Sequence, residues 1–205
     1  MEDEMSIHRF NWALTAISKN DVSEKDSLWI KAQIENWQSL FSKEASNNKI
    51  INTSLKWSSY TIGERISNII LFHYYTKSKP PINLQNDLFN HVDILSRRLE
   101  YFKSKTGNHI INNARALYLF GISFKNETII NFAKEIFRNE IKKLISKEGF
   151  LREGSSHYQF IFTRWIIEIY IFSNIGKDRN FQSELKSLLK KLMSCCNFFY
   201  VTNKN

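Results

Sequence analysis

The stretch Tyr158-Gln-Phe-Ile-Phe-Thr-Arg164-Trp-Ile-Ile-Glu168-Ile-Tyr-Ile-Phe-Ser-Asn-Ile175 decides the fold class. It is apolar on almost every side of a helix and lacks the period-2 alternation of a half-buried strand. A helix apolar all round must be enclosed by others. Arg164 and Glu168 interrupt the run, so it reads as a core helix and not a membrane span. The expectation is an inner helix from about Tyr158 to Ile175, with amphipathic helices packed outside it.

Working outward, the neighbouring segments also repeat at helical period. Ile30, Ile34, Trp37 and Phe41 share one face of a helix opened by Ser23 or Ser27. Ile62, Ile66, Ile69, Ile70 and His73 form a stripe closed by Pro80-Pro81. Leu88, Val92, Leu95, Leu99 and Phe102 form another. A helix over about 110–120 is expected to end at Gly121 as a C-cap. The next starts near Asn126, with Ile130, Ala133, Phe137, Ile141 and Leu144 inward, and stops before Gly149. The last turns Leu185, Leu188, Leu192, Cys195 or Cys196, and Phe199 inward. Seven or eight helices joined by short loops, with no fixed repeat and no visible boundary, predict one all-α domain over 1–205 built from stacked helical hairpins in two layers.

Composition agrees. The 205 residues are 42% apolar and 24% charged, which suits a globular chain. Six Gly and two Pro are too few for a turn-rich sandwich or barrel. The net charge of +9 favours a polyanionic partner: nucleic acid, an anionic membrane or an acidic polysaccharide. The basic residues are spread along the chain and form no recognisable nucleic-acid reader, so no nucleic-acid partner is expected. Cys195 and Cys196 are adjacent and sit in an apolar helical pattern, which reads as buried thiols and offers no disulfide framework. His8, His73 and His91 have no companions at ligand spacing, so neither a metal nor another cofactor is expected. Met1-Glu2-Asp3-Glu4 is acidic where a signal peptide would be basic.

Two polar clusters break the apolar pattern at helix ends. One is Gly107-Asn108-His109-Ile110-Ile111-Asn112-Asn113, and the other runs from Glu148 to Tyr158 through Arg152, Glu153, Ser155 and Ser156. Asn108 reads first as a helix N-cap, and so do Ser155 and Ser156. Neither serine stands in a nucleophile elbow. Trp165, inside the apolar helix, reads as core.

The same clusters carry a resemblance. Gly107-Asn108-His109-x-x-x-Asn113-x-x-Ala116-Leu117 resembles the Gly-Asn-His-x-x-x-Asn-x-x-Ala-Leu stretch of the heparinase II/III family of polysaccharide lyases. Glu148-Gly149-x-x-x-Glu153-x-Ser155-x-x-Tyr158 is similar to that family's Asp-Gly-x-x-x-Glu-x-Ser-Pro-x-Tyr-His element. Upstream, Trp57-x-x-Tyr60-x-Ile-x-x-Arg65-x-x-Asn68 resembles a third family segment. The chain departs at Ser156, where the family has Pro, and at Gln159, where it has His.

The resemblance implies the N-terminal part of an incomplete (α/α) toroid of antiparallel hairpins and a role on uronic-acid-containing polysaccharide such as glycosaminoglycan, in a periplasmic or extracellular setting. Cleavage would be by β-elimination: the C5 proton is removed and the C4 glycosidic oxygen departs. By the resemblance, Asn108 neutralises the substrate carboxylate, Tyr158 is the base or acid, and His109 assists. Trp57, Tyr60, Arg65, Asn113, Arg152 and Glu153 would hold the substrate. A phenol with its ordinary pKa of ~10 is a poor base at neutral pH, so cationic neighbours such as Arg152, Arg115 or a histidine are expected. Family members continue into a β-sandwich bearing a further catalytic histidine. The 205 residues are therefore expected to be a truncated toroid with little activity alone, with the 181–199 face exposed. The competing reading is a non-catalytic helical module that binds anionic glycan or a protein partner.

Overall fold

The computed structural model describes residues 2–18, 23–101 and 107–202, which form two compact units, Met1–Leu99 and Glu100–Asn205. Among the described residues all regular structure is helical, apart from one isolated antiparallel bridge between Ile145 and Leu151.

The first unit holds α1 (Glu2–Arg9), α2 (Asn11–Ser18), α3 (Glu24–Phe41), α4 (Asn48–Thr53), α5 (Ser59–Tyr75) and α6 (Ile82–Arg97), with short 3₁₀ turns at Ser42–Ser46 and Leu55–Trp57. Ser23, and not Ser27, opens α3: its hydroxyl accepts from the Asp26 N–H at 3.1 Å. Helix α5 packs against α1, α2 and α6. It is buried from Thr61 to His73, all round and not only along the Ile62–His73 stripe. Helix α6 buries Leu88, Val92 and Leu95 but stops at Arg97, so the stripe does not reach Leu99. Phe102 lies outside the described residues.

The second unit holds α7 (His109–Phe124), α8 (Glu127–Leu144), α9 (Ser156–Ile175) and α10 (Arg179–Thr202). Helix α7 lies between α8 and α9, and α10 packs on α9. This corrects the inner-helix expectation. The enclosed element is α7, buried from Ile110 to Gly121, and α8 packs on it and not on the Tyr158–Ile175 helix. Helix α9 leaves Phe160, Arg164 and Ile167 exposed along one side. An all-round apolar pattern marks a helix that can be enclosed; whether each face finds a neighbour depends on the other elements.

Gly121 is the second correction. It does not cap α7, which runs on to Phe124 and is closed by Lys125 in the left-handed conformation. A Cβ at Gly121 would stand 2.7 Å from Ile130 Cγ1 and 3.0 Å from the Ile130 nitrogen, so glycine is there to let α7 and α8 approach. Helix α8 starts beside Asn126 as expected, Asn126 caps it by accepting from the Ile129 N–H at 3.1 Å, and Ile130, Ala133, Phe137, Ile141 and Leu144 face inward. The apolar face of α10 is covered by packing: Phe181, Leu185, Leu189, Leu192 and Cys195 are buried, while Leu188 and Phe199 are half-buried. No described helix is long and apolar enough to cross a membrane.

Candidate active site

Asn108 precedes the first turn of α7 with helical φ and ψ of −65° and −19°. That conformation withdraws its side chain from capping, and no cap bond forms. The N-cap reading of Asn108 is therefore overturned. Instead its amide Nδ2 donates to Glu153 Oε2 at 3.0 Å. A carboxylate only accepts, which fixes the amide with its nitrogen toward Glu153. Asn108 is 4% exposed, so this bond is the main anchor of a nearly buried amide. It ties the first polar cluster to the second.

Around it, Glu100 serves two partners. Its carboxylate meets His109 Nδ1 at 2.7 Å, and its backbone N–H donates to Asn113 Oδ1 at 3.5 Å. His109 is exposed and Asn113 is fully buried. Asn113 thus holds backbone and does not face solvent. Glu100 carried no motif signal, since a lone acidic residue just after a helix reads as surface.

The second cluster is a braced loop. The Arg152 N–H donates to the Leu144 carbonyl at 2.9 Å and the Ser146 N–H to the Phe150 carbonyl at 2.8 Å. Gly149, at φ +109°, lies where a Cβ would fall 2.8 Å from the Lys191 backbone. Gln159 is buried and clamps the loop from within: Oε1 accepts from the Leu151 N–H at 2.7 Å, and Nε2 donates to the Gly149 carbonyl at 3.0 Å. The residue that departs from the family pattern is thus the loop's internal brace. Cys195, buried as expected, donates to the Glu148 carbonyl at 3.6 Å, and burial pushes its thiol pKa up.

Ser155 caps α9 by accepting from the Tyr158 N–H at 3.4 Å, as read from sequence, whereas Ser156 is already helical. Tyr158 is 45% exposed on the first helical turn, and the His157 ring meets it edge-on at 5.7 Å. His157 was missed because a histidine beside a tyrosine in sequence does not show that the rings meet. Arg115 is not a free cation for this site. It is wholly buried, with Nε 2.5 Å from Glu168 Oε2 and a hydrogen bond to Asn112 Oδ1 at 2.7 Å. Arg152 and Glu153 are exposed. Trp165 is core, as expected.

In the first unit the third motif turns inward. Trp57 and Arg65 are fully buried, which corrects their assignment as substrate contacts. Arg65 donates through Nε to the His8 carbonyl at 2.8 Å, also bonds the Lys56 carbonyl, and stacks on Trp37 at 4.2 Å. Burial lowers its pKa to about 9. Asn68 donates to the Arg9 carbonyl at 2.7 Å, and Trp57 Nε1 to Glu44 Oε2 at 2.8 Å. These residues staple α5 to the segments around it. Tyr60 is half-buried under the Arg9 guanidinium at 4.9 Å. His91 is buried against Trp37 and Trp57, and His8 accepts from Trp37 Nε1 at 2.9 Å.

The crystal structure of heparinase III is similar to 92% of this chain, with a TM-score of 0.62 and 19% identity. At that identity the likeness shows the fold, an all-α incomplete toroid. The match covers 30% of the heparinase III chain. A search of curated protein sequences finds no match. The family model described as Heparinase II/III N-terminus matches residues 1–203, and the chain belongs to that family, related to the polysaccharide lyases.

Proposed function

We propose that the chain is the toroid part of a lyase that cleaves uronic-acid-containing polysaccharide by β-elimination, with the Asn108 and Tyr158 region as its site. The observation that carries this reading is the Asn108–Glu153 bond. A buried amide held by a carboxylate is preorganised. One N–H is engaged by Glu153, which leaves the second N–H of the held amide as the donor for charge developing on a bound uronate.

In the proposed step Tyr158, as phenolate, takes the proton from C5. The electron pair forms the C4=C5 bond, the C4–O bond breaks, and the leaving oxygen regains a proton from the Tyr158 hydroxyl. The His157 ring stands edge-on to the Tyr158 phenol, with centroids 5.7 Å apart. His109, anchored by Glu100, assists from the same end of α7. Basic residues concentrate the anionic chain. The resemblance also implies a β-sandwich with a further histidine, so we place full activity in a chain joined to such a domain.

The test is ultraviolet detection of unsaturated product from heparan sulfate, hyaluronan and alginate, using the chain joined to a β-sandwich domain of the family. Elimination lost in both Asn108→Ala and Tyr158→Phe supports the site, and full turnover in either variant removes it.

A further inference from the structure

The first unit carries a groove of about 410 Å³ between the α1–α2 corner and α3. Its size falls in the range of small-ligand sites, roughly 300–1,000 Å³. Its lining is mostly aromatic and carries no charged side chain, in a chain of net charge +9. Trp29 is 57% exposed, an unusual position for so large an apolar surface. Trp12 meets it at 5.8 Å with the rings 69° apart, so the two indoles form a corner. Gln33 and Asn36 follow Trp29 on the same face of α3 at helical spacing and line the same groove. Neither amide side chain has a hydrogen-bond partner among the described residues.

We propose that this groove binds an uncharged pyranose ring, a neutral sugar of the polysaccharide. The proposal rests on the polysaccharide reading but uses none of its chemistry. The axial C–H groups of a pyranose carry partial positive charge and suit the negative face of an indole. Its hydroxyls donate and accept, as the amides of Gln33 and Asn36 do. An apolar helix seated in the groove would leave both amides dry and unpaired, at about 1–3 kcal/mol each. A sugar satisfies them. The absence of lining charge assigns the neutral residue, and not the uronate, to this place.

The experiment is a tryptophan-fluorescence titration of the 205-residue chain with N,N′-diacetylchitobiose, in parallel with an unsaturated uronate disaccharide. A saturable change with the neutral disaccharide is expected, weaker with the charged one. Trp29→Ala should weaken binding about ten-fold or more, and Gln33→Ala with Asn36→Ala should weaken it with the fluorophores intact. Trp29 is exposed, so circular dichroism should show an unchanged fold. No saturable change, equal binding of both sugars, or binding indifferent to Trp29→Ala would overturn the proposal. So would a dimer in sedimentation that Trp29→Ala dissolves, since a second copy would then be the occupant. No outcome depends on elimination, so failure here leaves the Asn108–Tyr158 site standing, and the loss of that site leaves this titration readable.

Discussion

The side-chain amide of Asn108 donates to Glu153 at 3.0 Å although 45 residues separate them. This bond joins the start of α7 to the loop before α9. Tyr158 follows five residues after Glu153 (158 − 153), on the first turn of the helix that the loop feeds. The two clusters are thus coupled through one carboxylate.

That coupling makes Glu153 a positioning residue under the proposed mechanism. In elimination assays Glu153→Ala should lower turnover by roughly 10-fold, short of the 10²–10³ expected for Asn108→Ala itself. Glu153→Gln, which still presents a carbonyl oxygen to the amide, should restore most of it. A turnover number unmoved by Glu153→Ala would detach the loop from the chemistry. Asn108→Ala should also cost about 1 kcal/mol of stability, because the amide is buried, whereas half-exposed Tyr158→Phe should cost little.

Gln159→Ala should destabilise the second unit by roughly 2–3 kcal/mol. The change removes both bonds that clamp Gly149 and Leu151 and leaves a buried N–H and a carbonyl unpaired. Urea denaturation gives the number. Hydrogen exchange should show faster exchange first at the Leu151 amide, and an unchanged rate there would contradict the brace.

Gly121→Ala should cost about 2 kcal/mol or more through overpacking against Ile130. Ile130→Ala in the same chain should recover only part of it, because the Ile130 backbone nitrogen still lies 3.0 Å from the new Cβ. A double-mutant cycle on thermal midpoints measures the recovery.

His73 sets a pH dependence. Burial, with Lys31 adding repulsion, lowers its pKa from 6.5 to about 4 in the folded chain. The unfolded chain therefore binds this proton more readily between those values. Its contribution is fully present above pH 6.5 and is lost as pH falls toward 4, by up to about 3 kcal/mol. His91, also held neutral by burial, acts in the same direction. Urea midpoints should fall between pH 7.5 and pH 5, before most carboxylates titrate, and His73→Asn should flatten that slope. A slope unaltered in the variant would assign the effect elsewhere.

Sequence alone determined the helical class, most helix spans and roughly where α3, α8 and α9 begin, because these depend on local period and on single residues at helix ends. It also carried the family motifs, whose residue types and order are local. Tertiary structure decided which helices are enclosed. Helix α9 is as apolar as a buried helix yet leaves Phe160 and Ile167 in solvent, while α7 encloses Arg115 by pairing it with Glu168. Burial of a polar residue depends on a partner that local pattern does not reveal. The same holds at the site: Asn108 looks like a cap until its backbone turns helical and Glu153 arrives from 45 residues away. Trp57 and Arg65 look like surface contacts until the carbonyls of His8 and Lys56 close on the guanidinium. In each case a long-range partner replaces water as the hydrogen-bonding medium, and only the assembled chain brings that partner within 3 Å or so.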